Sequence, residues 1–399
     1  MFDDITFESK IVNQYERKNG WFLELSSSHF YPDGEGGQLG DRGEINGVPV
    51  VSVLRDKGGA ILHIMAEEVP IREGEKAECQ ISGENRYDIA QQHTAQHLIS
   101  ANFDNDLGVQ TVGFHMSENH TTIDLNTADL SEEILEKMER KSFQQITDLI
   151  DVEILSIASK DIHKYPLRKG MSEKLLGVEQ LRVVKIGDLD YSLCKGFHCD
   201  NTGNIGIIKI FKTESLKRAN RDAREQTTRI FFVAGNRALK DYQMSHKILK
   251  ETTEFLSTSK EELQMRLKNL MDENKTVSKI SRRLSESLAK EMYQNIQTRG
   301  IEGKRRIVKV LPSEESAKGL SKEIMKEPDT IAVFLFEKSK NNGFNIISTH
   351  EKIDAQEILN SLKDNLSIKG GGNSNMTLGV VHGNLDQIKK EVEEIVNQY

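Results

Sequence analysis

Hydrophobic and polar positions alternate in a different rhythm in four successive parts of the chain. Up to about residue 85, short apolar runs at 21–25, 48–54, 60–65 and 77–81 are separated by glycine turns. Such spacing predicts short strands, and their number predicts a small barrel or curved sheet. From Asp88 to about Phe103 the rhythm becomes helical, with Ile89, His93, His97 and Ser100 on one flank. Residues 112–117 and 121–125 read as a strand hairpin. Residues 131–150 begin at Ser131, continue with acids, and repeat apolar positions at Ile134, Met138, Phe143, Ile146 and Ile150, the pattern of a capped amphipathic helix. Further strands are predicted over 152–157, over 181–193 as one run, and over 203–212 and 228–235.

The third part, 236–296, is helical. Leu263, Leu267, Leu270, Val277, Leu284 and Leu288 recur at alternating three- and four-residue steps, with Asn274 and Ser281 in the intervening slots. That predicts a helical hairpin or short coiled coil, either an arm to another domain or a dimer seam. The last hundred residues predict an α/β unit. Its strands fall near 305–311, 330–337 and 344–348, its helices near 314–326, 354–364 and 385–399, with a turn at Asn341–Gly343 and a glycine loop over Lys369, Gly370, Gly371 and Gly372. The expected class is α+β and multidomain. Its parts are an N-terminal β-barrel over 1–87, an α/β core over 88–235, a helical arm over 236–300 and a C-terminal α/β domain over 301–399.

Composition narrows the setting. A hydrophobic share of 37% beside 29% charged residues, over 399 residues with 6 prolines, fits an ordered protein with several cores. The mean hydropathy is −0.52. No apolar run approaches the length of a membrane span, and the acidic start is unlike a signal peptide, so no membrane association and a cytoplasmic location are expected. The net charge of −8 speaks against nucleic-acid binding by the whole surface but leaves room for a local basic patch. The densest basic stretch holds Lys217, Arg218, Arg221 and Arg224, with Arg229 beyond. It reads either as a solvated loop or as a phosphate-facing surface.

Candidate chemistry concentrates in two short motifs. His93 and His97 lie four residues apart, as do Cys194 and His198. Four-residue spacing on a helix leaves two side chains on one face about 6 Å apart. Three imidazoles and a thiolate form a donor set that suits zinc, and three unevenly spaced cysteines suit a metal site better than a disulfide framework. His115, on the same strand face as Gly113 and Ser117, is a further candidate near the metal. The stretch 28–43 is dense in glycine, which permits close approach of backbone to a ligand. Three glycines beside Lys369 suit contact with a phosphate or ribose through backbone N–H groups.

His-Thr-Ala-Gln-His at 93–97, Cys194-x-Gly196-x-His198 followed by Asn201-Thr-Gly-Asn-Ile-Gly206, and Phe30-Tyr-Pro with Gly36-Gly-Gln-x-Gly-Asp-x-Gly43 occur together. Jointly they resemble the editing domain of alanyl-tRNA synthetases and the freestanding AlaX editing proteins. The helical arm and terminal module resemble the DHH-associated domain of the long AlaX form. The resemblance implies trans-editing: hydrolysis of the ester joining serine, and glycine, to tRNA for alanine. It also implies Zn2+ held by His93, His97, Cys194 and His198, and substrate contacts from Ser28, Gly36, Gly37 and Asp41. Gln38, Gln110 and His115 become the candidate catalytic residues. Lys217, Arg218, Arg221, Arg224 and the Lys369–Gly372 loop become candidate tRNA contacts, and a homodimer through the arm or terminal domain is a candidate assembly. Lys195 and Phe197 depart from the usual Gly and Thr of the Cys-Gly-Gly-Thr-His element. A zinc-stabilised tRNA-binding module without activity, and a deacylase for another mischarged tRNA, are the alternatives.

Overall fold

A computed structural model describes residues 3–18, 20–128, 130–169, 178–217, 226–298, 305–338 and 341–399, and divides the chain into two units, Met1–Glu251 and Thr252–Tyr399. In the first unit six strands close a barrel: β1 (Ile5–Arg17), β2 (Gly20–Leu25), β3 (Gly43–Ile45), β4 (Val48–Arg55), β5 (Ile61–Met65) and β6 (Lys76–Ile81), ordered β1-β2-β5-β4-β3-β6. Leu23, Phe30, Ile45, Val53, Met65 and Ile81 fill it, alternate residues of each strand pointing inward as the period of two requires. The barrel expected from the sequence is therefore present.

Helix α1 (Gly83–Leu107) follows at once, its first turn capped by Ser82 Oγ, which accepts from the Asn85 N–H. It runs through the middle of the unit and is buried on every side from Ile89 to Phe103. A helix enclosed in this way carries no polar outer face, so the flank read from the sequence is only part of its contact surface. Around it lie β7 (Thr111–Met116), β8 (Thr121–Leu125), α2 (Glu132–Thr147), β9 (Val152–Ala158), β10 (Gln180–Ile186), β11 (Asp190–Leu193), β12 (Ile208–Lys217) and β13 (Gln226–Ala234), leading into α3 (Gly235–Phe255). Two antiparallel sheets form, ordered β12-β13-β8-β7 and β11-β10-β9. Residues 181–193 are two strands rather than one, because Gly187, in a left-handed conformation, turns the chain back. That reversal places Cys194 just past the end of β11.

In the second unit α4 (Leu263–Thr298) precedes β14 (Arg305–Leu311), α5 (Glu314–Ile324), β15 (Thr330–Lys338), β16 (Asn341–Ser348), α6 (Ala355–Lys363), β17 (Ile368–Gly372), β18 (Met376–Val381) and α7 (Leu385–Val396). The sheet runs β14-β15-β16-β18-β17, with only β14 and β15 parallel. One face packs on α6 and α7 through Ile358, Leu362, Ile388 and Val392, the other on α4 and α5 through Ala289, Leu320 and Ile324. Two local readings change. Asn341–Gly343 belong to β16, pairing with Phe336, Glu337 and Lys338. Lys369, Gly370, Gly371 and Gly372 form an edge strand, not a loop: their backbone pairs with Thr377–Val380 of β18, and a Cβ on Gly370 would fall 2.6 Å from Leu378 O.

Candidate metal centre

The donor atoms of His93, His97, Cys194 and His198 all lie within 4.8 Å of one another. Helix α1 supplies the first two from successive turns, and the turn after β11 brings the other pair against them. Cys194 Sγ is 3.4 Å from both His93 Nε2 and His198 Nε2. The far nitrogens point outward, and each has an acceptor. His93 Nδ1 is 2.9 Å from Gln38 Oε1, His97 Nδ1 is 2.8 Å from Asp190 Oδ2, and His198 Nδ1 is 3.4 Å from Thr94 Oγ1. Fixing Nδ1–H in this way turns Nε2 inward as a lone-pair donor, the arrangement in which histidines bind metal. These four residues could hold a metal ion, and their donors suit one of borderline softness.

The electrostatics of Cys194, His198 and His93 point the same way. Burial alone would raise the Cys194 thiol, but the charge of His93 and hydrogen bonds from His198, His93 and His97 outweigh it and hold the thiol well below its usual range. Burial, then the charge of His93, pushes His198 down to about 3, and burial also lowers His93. His97 goes the other way: burial is overcome by its bonds to Asp190 and Cys194, which push it up to about 9. Asp190 is fully buried and also receives Arg168 Nε at 2.7 Å and Ser192 Oγ at 2.8 Å.

A cavity of about 430 Å³ opens over the cluster, lined by Gly36, Gly113, Phe114, Gln96, Arg168, Lys169 and Ser192. Lys169 is exposed beside the cavity, and partial desolvation followed by the neighbouring Arg168 lowers its pKa. Phe114 stacks on His93 with ring centroids 5.1 Å apart. Gly37 lies behind Phe114, where a Cβ would come within 2.6 Å of the ring. The glycine loop is held in shape by two carboxylates. Asp33 accepts from Gly40 N, Ser52 Oγ, Val53 N and Arg42, while buried Asp41 accepts from Tyr31 N and is gripped by Arg86 through Nε and Nη2.

Several candidate residues therefore sit elsewhere than the sequence suggests. Gln38 is buried behind the ligands, its oxygen shared between His93 and the Phe197 N–H, so it positions a ligand. Asp41 holds the loop. Ser28 Oγ is taken up by buried His63 at 2.9 Å and by the Phe30 N–H, and does not line the cavity. Gln110 is exposed at a turn, its backbone paired with Asn126. His115 is exposed on the other face of β7, because the bulge between Thr111 and Gly113 turns Phe114 toward the cluster. Phe197 packs its ring between Tyr31 and Arg86 rather than into the cavity. The side chain of Lys217, together with Arg218, Arg221 and Arg224, lies outside the described residues. Sequence reasoning misses Thr94, Gln96, Arg168, Lys169 and Asp190; only Thr94 and Gln96, inside the histidine motif, carry a local signal.

The family described as the threonyl and alanyl tRNA synthetase second additional domain matches residues 181–230, the segment that carries Cys194 and His198. Over those residues the chain is similar to that domain. The alanyl-tRNA editing protein Aarsd1 of Danio rerio is 31% identical over 281 residues, covering 68% of this chain and 65% of that protein. Its Bos taurus counterpart is 30% identical over 272 residues, covering 68% and 58%. An alanine–tRNA ligase of Methanococcus maripaludis is 24% identical over 410 residues, covering 99% of this chain and 42% of the ligase. The chain is a homologue of the alanyl-tRNA editing proteins of the AlaX type, and it spans less than two thirds of the length of these relatives. Among the described residues no helix is long and apolar enough to cross a membrane.

Proposed function

We propose that the chain is a zinc-dependent aminoacyl-tRNA deacylase that edits tRNA for alanine mischarged with serine, and with glycine. The observation that carries this reading is the tied His93–His97–Cys194–His198 cluster at the floor of a cavity, in a homologue of alanyl-tRNA editing proteins. Zinc held by these four residues would polarise an ester carbonyl and lower the pKa of a nearby water. The chain's own contribution is geometry. Gln38, Asp190 and Thr94 keep the three rings aimed inward. Phe114 and the backbone of Gly36 bound the cavity on the side of the glycine loop, restricting water there.

Other groups that line the cavity are polar. Gln96 Nε2 donates to Ser100 Oγ at 2.8 Å, which orients the amide and leaves its oxygen as an acceptor for the hydroxyl or ammonium of a bound serine. A site that pairs a substrate hydroxyl disfavours the analogue lacking it, so alanine is spared without a steric clash. Lys169 places a cation where negative charge develops on the ester. The test is amino-acid release from seryl-, glycyl-, alanyl- and threonyl-tRNA, with and without chelator. Chelator-sensitive release of serine and glycine is expected. Equal binding of free and charged tRNA with no release would instead favour a zinc-stabilised binding module.

A further inference from the structure

The sheet β12-β13-β8-β7 has a second surface that the cavity does not use. Ile230 and Phe232 of β13 and Ile123 and Leu125 of β8 point into the core. Strand alternation therefore turns Arg229, Phe231, Thr122 and Asp124 to the other face. The register puts Lys212, Phe231, Thr122 and His115 in one row across all four strands, and Glu214, Arg229, Asp124 and Gly113 in the next. A bulge between Ile210 and Lys212 adds Phe211, which is 47% exposed. His120, from the turn before β8, completes a cluster of rings. Phe231 lies 5.3 Å from His120 and 6.3 Å from Phe211, with Lys212 Nζ 4.9 Å from its centre.

We propose that this face is a stacking platform for unpaired nucleotides of an RNA, continuous with the mouth of the metal cavity. Gly113 belongs to the second row and also lines the cavity, so the two sites meet at edge strand β7. From β7 to Phe231 is two strand spacings, about 10 Å. Aromatic side chains on an open antiparallel sheet accept bases of any sequence, since every base has a π-face. The cations on this surface are already held by carboxylates: Lys212 by Glu214, Arg229 by Asp124 and Arg237 by Asp88. Rings rather than phosphate contacts therefore dominate recognition here.

The identity of the RNA rests on the deacylase reading, in which the aminoacylated end of a tRNA enters the cavity. The experiment compares the full chain with Phe211→Ala and Phe211→Trp, measuring affinity at fixed salt for uncharged tRNA, intact or trimmed of its unpaired 3′ nucleotides. Hydrolysis of a small aminoacyl-adenosine ester is followed in parallel. Phe211→Ala should weaken intact tRNA by about 5- to 30-fold and Phe211→Trp should restore it. Trimmed tRNA should bind all three alike, and the small ester should be hydrolysed equally. Unchanged affinity of Phe211→Ala for intact tRNA, an equal loss on trimmed tRNA, or no binding by the unsubstituted chain would overturn the platform. Absence of ester hydrolysis with the binding pattern intact would remove the deacylase reading and leave the platform standing.

Discussion

Gly196 sits between the two ligands of the second motif, and replacing it with alanine tests how closely the cage is built. A Cβ there would lie 2.2 Å from Gln38 Oε1 and from His93 Cε1, and 2.3 Å from His93 Nδ1. Normal contact needs about 3.5 Å, so roughly 1.3 Å must be gained by moving one or both groups. Both belong to the same hydrogen bond, so any relief displaces the ring that it aims. Loss of such an outer contact costs about 10- to 100-fold in metal affinity. Overpacking of a buried site costs about 1–3 kcal/mol, or roughly 2–12 °C in the melting point of a unit of this size. Competition of apo-protein with a chromophoric chelator for Zn2+, alongside thermal unfolding, measures both. Adding Gln38→Ala makes room and should recover part of the lost stability while affinity stays low. Gly196→Ala binding zinc within twofold of the unsubstituted chain, at an unchanged melting point, would refute this account.

Asp190→Ala leaves partly buried Arg168 without its carboxylate and buried His97 without its acceptor; about 3–5 kcal/mol of stability and at least tenfold in metal affinity should be lost, read by denaturant unfolding and chelator competition. Burial holds His63 down to about 4, below the 6.5 of an unfolded histidine. Its neutral form therefore stabilises the barrel above pH 6.5, and roughly 3 kcal/mol is lost as pH falls from 6.5 through 4. Denaturant midpoints across that window should flatten in His63→Gln; an unaltered slope would count against it. Changing Lys217, Arg218 and Arg221 together to Ala should weaken tRNA binding and flatten its salt dependence, with unchanged affinity and slope removing the assignment.

The ligand pairs are legible in the sequence because four-residue spacing is a local property of a helix and a tight turn. Four of the six barrel strands are legible because short apolar runs end at glycine turns, whereas β1 and β3 fall outside those runs. Asp190 and Arg168 are hidden, since an aspartate 93 residues from the histidine it holds leaves no periodic trace. One bulge moves His115 away from the cluster, because inserting a residue into a strand reverses which side chains face the core. Motifs single out Ser28, Asp41 and Gln38, yet motif spacing does not tell a group that touches substrate from one that holds a loop or a ring; burial and partners do. The glycines at 370–372 illustrate the opposite ambiguity, for a run that permits any backbone shape lies in an edge strand.

The three ring anchors differ in strength, and this sets an order in which the cage would come apart. A buried carboxylate itself gripped by arginine fastens His97, an amide oxygen fastens His93, and a hydroxyl at 3.4 Å fastens His198. Charged acceptors make shorter and roughly twofold stronger bonds than neutral ones. His198 is thus the hinge leaf of the enclosure and His97 its post: in a loaded site the loosest ring would be the first to yield, and the two histidines of helix α1 would be the last.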